Sequence, residues 1–192
     1  MAILLAYAEA DSYLSQPDPT TNYGTANYAI IDGAVGAHRR PVIRYDLSQL
    51  PASAVVNSVT LYVQSYTPNA SALSINIYRI LASWVEGQVT WNNRYTGQAW
   101  TSAGCSNTTS DRSATVMASL TLPGTNGNYN CSVDLTEFAS MRANNQGMLF
   151  YPTNANEKWI YARETTSDSY LSIVYTLPAG NAAVFLSDFG IV

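Results

Sequence analysis

The sequence predicts an all-β fold: two antiparallel sheets packed as a sandwich of jelly-roll type, with one short helix. Three observations predict it. Short segments rich in β-branched and aromatic residues alternate apolar and polar side chains with the period of a half-buried strand. Gly, Pro and Asn turn residues bound those segments. Nothing in the chain reads as strands alternating with helices, which excludes an open α/β sheet.

The first 16 residues open with a near-continuous apolar run over positions 2–8, far shorter than the ~20 residues of a membrane span and preceded by no positive charge. No membrane partner is expected. Val42, Ile43, Arg44 and Tyr45 read as a strand. The clearest strand covers residues 55–66, with Val59, Leu61 and Val63 on one face and Thr60, Tyr62 and Gln64 on the other. Residues 73–80 repeat the pattern through Leu73, Ile75 and Ile77. Further strands are expected at 113–122, 129–133, 147–151, 159–163 and 170–176. The helix starts at Asp134, an N-cap with Glu137 three positions on, and continues with Phe138 and Met141 on one face before Gly147.

With 192 residues and 47% apolar content the chain fits one domain, assigned to residues 1–176. Residues 177–192 read as an apolar extension behind a Leu-Pro-Ala-Gly-Asn linker. Val184, Phe185, Leu186, Phe189 and Ile191 make it an assembly arm docking on a neighbour, or a last strand folded onto its own domain. Charged residues are only 11% of the chain, against a usual ~25%, so Ser, Thr, Asn, Gln and Tyr must build the surface. A net charge of −4 and nine scattered basic residues leave no footprint for phosphate, and nucleic acid is excluded as a partner. Cys105 and Cys131 are too few for a disulfide framework or a four-ligand zinc site, and their pairing stays open.

These segments form an ordered set: Ala10-Asp11-Ser12-Tyr13-Leu14, Asn22-Tyr23-Gly24, the strand from Arg40 to Leu47, and Leu50-Pro51. Val59-Thr60-Leu61 follows, then the block Trp84-Val85-Glu86-Gly87-Gln88-Val89-Thr90-Trp91-Asn92-Asn93. Asp134-Leu135-Thr136, residues 147–150 and Ala162-Arg163-Glu164 close the series before Tyr175. In order and spacing, over residues 6–176, the set resembles the DNRLRE-type domain, a β-sandwich similar to the carbohydrate-binding domains of microbial surface proteins. Tyr45 stands where that family usually has Phe. The resemblance implies a non-catalytic module, and free-standing versions resemble structural proteins of bacteriophage particles.

Glycan binding needs exposed aromatic platforms flanked by hydrogen-bonding groups. Trp100, Trp159, Tyr161, Arg94 and Tyr95 are the candidates, with Tyr66 among the stretches that suit such a platform, whereas Trp84 and Trp91 are expected to fill the core. Of the acids within motifs, Asp134 and Glu137 serve the helix, and Glu86 and Glu164 are expected to pair with arginines such as Arg44 or Arg163. No catalytic residue is assigned. His38 is the only histidine, so neither a triad nor a metal site is assembled around it, and no metal or cofactor is expected.

The expected function is a non-enzymatic virion structural protein, a head decoration or cement subunit or else a tail-associated adhesin. It would form a homo-oligomer and contact other virion proteins such as the major capsid protein, with a cell-surface glycan as a further partner. The alternative is a carbohydrate-binding module of a secreted bacterial surface or polysaccharide-degrading protein.

Overall fold

The computed structural model describes residues 1–66 and 71–178. In chain order the strands are β1 (Ala2–Ser15), β2 (Tyr28–Asp32), β3 (Arg39–Tyr45), β4 (Val55–Tyr66) and β5 (Leu73–Ile80). A small hairpin follows, β6 (Asn93–Tyr95) and β7 (Gln98–Ala99), and then β8 (Arg112–Leu122) and β9 (Gly127–Ser132). After helix α1 (Leu135–Ala143) come β10 (Met148–Pro152), β11 (Glu157–Tyr161) and β12 (Tyr170–Thr176). No helix among the described residues is long and apolar enough to cross a membrane. Val184, Phe185, Leu186, Phe189 and Ile191 lie outside the described residues.

The all-β fold with one short helix is as expected. The strands, however, do not divide into two separate sheets, and a jelly-roll sandwich is not confirmed. One hydrogen-bonded sheet runs β1-β12-β4-β11-β2-β3-β10-β5-β8, with β9 on the other edge of β4. The long strand β1 closes part of it into a ring. Its first half pairs with β12, from Ala2↔Tyr175 to Tyr7↔Tyr170, and its second half pairs with β3, from Ala8↔Tyr45 to Ser15↔Arg39. The ladder is irregular between Ala8 and Ala10, where β1 changes partner. The six strands β1, β12, β4, β11, β2 and β3 thus form a closed barrel, its β2–β3 contact a single residue pair, Asp32↔Arg39. Strands β11 and β12 lie end to end along one edge of β4, so β4 has neighbours over nearly its whole length.

The larger core joins inward residues of the barrel strands to those of β10, β5, β8 and α1. Val59, Leu61 and Val63 of β4, Ile43 and Tyr45 of β3, Phe150 of β10 and Phe138 of α1 are all buried in it. Tyr45 keeps its hydroxyl satisfied there by a 2.9 Å hydrogen bond to Ser169, and burial pushes its ionisation far up. The helix begins as expected, with the Asp134 carboxylate accepting the Glu137 N–H, and its buried residues are Phe138 and Met141. That cap is worth about 1 kcal/mol.

A second core lies on the other face of β3. Val42 and Ile43 point in opposite directions from adjacent positions, yet both are essentially inaccessible. The reason is the long connection between β5 and β8, which folds back over the sheet. It buries Trp84, Val89, Trp91, Trp100 and Cys105 against Leu14, Val42, Ile80 and Leu149. Asp111 pins this connection by accepting the N–H groups of Thr101, Ser102 and Asn107. Cys105 and Cys131 are both free.

Gly147 ends the turn between α1 and β10 at φ +83°, and a Cβ there would collide with the backbone carbonyl of Ile43. Alanine at this position must both adopt left-handed backbone and displace β3. Gly147→Ala is therefore expected to lower the unfolding free energy by about 2–3 kcal/mol, read from the urea midpoint at unchanged slope.

Candidate functional site

Period-two alternation decides which side chains leave the barrel. On β4, burial of Val59, Leu61, Val63 and Ser65 turns Tyr62, Gln64 and Tyr66 outward. Burial of Ile160 on β11 turns Trp159 and Tyr161 outward. Burial of Ala29 and Ile31 on β2 does the same for Tyr28, as burial of Leu171 on β12 does for Tyr170. On β1 the outward residues are Ile3, Leu5 and Tyr7, 67%, 46% and 50% exposed.

Pairing register gathers these rings into two rows across the strands. One row spans β1, β12 and β4: Tyr170 lies 5.5 Å from Tyr7 and stacks at 4.8 Å, nearly parallel, on Tyr62. The other spans β4, β11 and β2. Tyr28 is its hub, with ring centroids 5.1 Å from Tyr66, 5.2 Å from Tyr161 and 5.9 Å from Trp159. Tyr66 also meets Tyr161 edge-on at 5.8 Å.

A chain of polar contacts fixes the indole of this second row. Trp159 Nε1 donates to Glu157 at 2.9 Å, and the other oxygen of Glu157 accepts from Arg39 at 3.3 Å. Arg39 donates from the same nitrogen to Asp32 at 3.0 Å. The indole is thus held by its neighbour two positions back, which is in turn tied to β2 and β3.

The remaining candidates fall elsewhere. Trp100 was expected as an exposed platform, but it is 4% exposed in the second core, its Nε1 donating to the Thr90 carbonyl at 3.0 Å. Its polar neighbours in sequence face outward while the β5–β8 connection turns its ring inward, so no sugar can stack on it. Trp84 and Trp91 are buried there too, as expected, with Trp84 Nε1 donating to the Gln146 carbonyl. Arg94 and Tyr95 sit on the β6–β7 hairpin, with the guanidinium 5.0 Å over the Tyr95 ring. Arg94 lines a polar cleft of about 500 Å³ together with Ser83, Gln98, Thr101, Asn144 and Gln146. Among the described residues it has no carboxylate partner. The structure therefore brings Trp159 and Tyr161 together and leaves Arg94 and Tyr95 on a different element.

Reasoning on the sequence passed over Tyr28, Tyr62, Tyr170 and Tyr7. The signal for Tyr62 was present, since it occupies the outward face of the clearest alternating strand.

A third constellation is the carboxylate group Asp11, Glu86 and Glu164, whose oxygens lie within 4.8 Å of one another. Arg163 supplies its positive charge. The guanidinium donates to both oxygens of Glu86 at 2.6 and 2.7 Å, and the Arg163 N–H donates to Asp11 at 2.8 Å. Glu86 also accepts the Asp11 N–H, and Asn22 donates to the Glu86 and Val89 carbonyls. The Glu86–Arg163 pairing is the one the sequence led us to expect. These bonds fasten the β5–β8 connection to β1 and to the β11–β12 loop. Burial pushes the Asp11 carboxyl up to about 7, against the lowering effect of the Arg163 N–H, with the negative Glu164 and Glu86 adding to the rise. The three acids could hold a cation only in competition with Arg163.

Comparison with known proteins adds one finding. The sequence model of carbohydrate-binding module family 96 matches residues 5–110, more than half of the chain. No curated protein matches. The matched span contains most of β1 and all of β2 to β7, and with them Tyr7, Tyr28, Tyr62 and Tyr66.

Asp11 gives this region a pH signature. Its folded pKa is raised, so the folded protein holds this proton more tightly than the unfolded chain, and stability falls as pH rises from about 4 to about 7. The loss amounts to at most about 4 kcal/mol. Asp11→Asn keeps an acceptor for the Arg163 N–H and removes the titration. The stability difference between variant and wild type is expected to shift in the variant's favour between pH 5 and pH 8, as followed by chemical denaturation at each pH.

Proposed function

The chain belongs to carbohydrate-binding module family 96, and on that premise we propose that it binds a glycan on the aromatic outer face formed by β1, β12, β4, β11 and β2. The observation that carries this reading is the group of Tyr28, Tyr66, Trp159 and Tyr161, with Tyr66 38% exposed and the other three half-buried, gathered on a sheet face rather than in the core. Tyr and Trp suit such a surface because each joins a large apolar ring, on which the C–H face of a sugar rests, to a hydrogen-bonding group. The ordered motifs that resemble the DNRLRE-type domain support the same reading through Tyr175. Carbohydrate-binding modules are typically non-catalytic, and a buried Asp11 beside a Glu86 held by two nitrogens of the Arg163 guanidinium suits that role. Such a module serves naturally in a secreted or cell-surface protein.

One specific observation favours a second reading. Ile3, Leu5 and Val55 are 67%, 46% and 56% exposed at the end of the barrel where β1, β12 and β4 meet. A subunit that buries these side chains against another copy would suit the virion structural role, as a decoration or cement protein on a capsid or as a tail adhesin. Light scattering separates the two: a stable monomer at micromolar concentration sinks the assembly reading.

For the leading reading, Trp159→Ala and Tyr161→Ala are each expected to weaken binding to a retained polysaccharide by about tenfold or more, with the melting temperature within a few degrees of wild type. By contrast Trp100→Ala is expected to cost about 3–5 kcal/mol of stability. Affinity gel electrophoresis over a polysaccharide panel, with parallel melts, checks all three. Equal retention of Trp159→Ala and wild type would discard this face as the site.

A further inference from the structure

The two aromatic rows share one strand. Tyr62 belongs to the first and Tyr66 to the second, four residues apart on β4, which places them roughly 13 Å from each other along the strand. That is more than twice the length of one pyranose unit. A monosaccharide or disaccharide therefore reaches only one row.

The surface between the rows is polar and uncharged. Gln64 of β4 lies between Tyr62 and Tyr66 on the same face, and the register sets Asn128 opposite Gln64 and Asn130 opposite Tyr62, both exposed on β9. Each side-chain amide offers donors and an acceptor, the pattern that hydroxyl groups complement. On the strands that carry the rows, the charged side chains on the outward face are Glu9, neutralised by Arg44, and Asp32 and Glu157, both tied to Arg39. Their sum is one negative charge at the far margin, with no unpaired cation for an anionic sugar to meet. Arg94, an exposed-side guanidinium that has no carboxylate partner among the described residues, is on the β6–β7 hairpin and not on this face.

Resting on the glycan reading above, we propose that the two rows are one continuous site. Its ligand is a linear stretch of an uncharged polysaccharide, a tetrasaccharide or longer, lying along β4 and stacking at both ends. The amides of Gln64, Asn128 and Asn130 take the hydroxyls of its central units.

Calorimetry on the full chain tests this with neutral β-linked gluco-, xylo- and manno-oligosaccharides of two and six units, and with a soluble polyuronate, against wild type, Tyr62→Ala and Trp159→Ala. The expected result is a neutral hexasaccharide bound about tenfold or more tighter than its disaccharide. Either substitution should bring the hexasaccharide down towards the disaccharide level. Should Tyr62→Ala melt early, Tyr7→Ala, at a half-exposed position of the same row, takes its place. Equal affinities for two and six units, or a first-row variant that binds the hexasaccharide like wild type, would overturn the two-row site while the glycan reading stands. Tighter binding of the polyuronate, lost on Arg94→Ala, would overturn the uncharged class and move the site to the cleft. Retention of no polysaccharide at all would remove both the inference and the reading beneath it.

Discussion

The two-sidedness of β4 is the constraint from which the rest of the structure follows. Its alternate residues Val59, Leu61 and Val63 are 2% exposed or less, and slipping the strand by one position would drive Tyr62 and Gln64 into the core. Because β9 holds one edge and β12 with β11 the other, the register of β4 also sets theirs. The outward residues of four strands then have fixed places relative to one another. Tyr62 meets Tyr170, and Tyr66 meets Tyr161, through the same pairings that close the barrel. Core burial thereby arranges the external surface, with no further device needed to aim each ring.

The tryptophan-rich connection from β5 to β8 shows a different economy. A strand buried on both faces must find apolar cover for its second side, and β3 finds it in Trp84, Trp91 and Trp100 rather than in another sheet. The guanidinium of Arg40 is stacked between Trp91 and Tyr151 at 4.9 and 4.0 Å and donates to the Gly104 carbonyl and to Ser106. Desolvation lowers its proton affinity, yet it keeps these partners in place of a carboxylate. Gly104 itself, at φ +71°, is pressed so closely on the Trp91 ring that a Cβ would lie 2.5 Å from it. The motif likened to a family signature in the sequence is thus a packing motif. It braces the barrel, and Glu86 within it fastens the connection to β1 through Arg163.

What could be read from the sequence follows from how local each signal is. The bounds of β4 and β5, the cap at Asp134, the burial of Trp84 and Trp91 and the pairing of Glu86 with Arg163 were legible, because alternation, capping and charge complementarity act at short range or within a motif. The apolar run at the start of the chain was visible without being recognised as half of a strand. Its pairing partners, β12 for one half and β3 for the other, are distant in sequence. Trp100 misled because its neighbours Gln98 and Thr101 are polar, while its own burial is decided by how a long connection folds back over β3. The two rows were illegible for the same reason. Alternation tells which way Tyr62 or Tyr28 points, but only the order of strands tells which rings become neighbours.

Rows built this way are rigid before any ligand arrives. A tyrosine has two side-chain torsions, and each ring of the rows already leans on another, so little freedom remains to be lost on binding. Trp159 is further restrained by Glu157, whose second oxygen is bound to Arg39. Lysine or glutamate at the same positions would be longer, more mobile and more strongly hydrated, and contact with an uncharged sugar would strip that hydration without replacing it. A chain with 11% charged residues and 14 tyrosines has therefore given up electrostatic reach. In exchange it presents a surface whose contacts are short-ranged, stereochemically fixed and nearly insensitive to salt. Such a surface discriminates by the shape and hydroxyl pattern of what lies on it, which is the discrimination that one uncharged sugar chain requires against another.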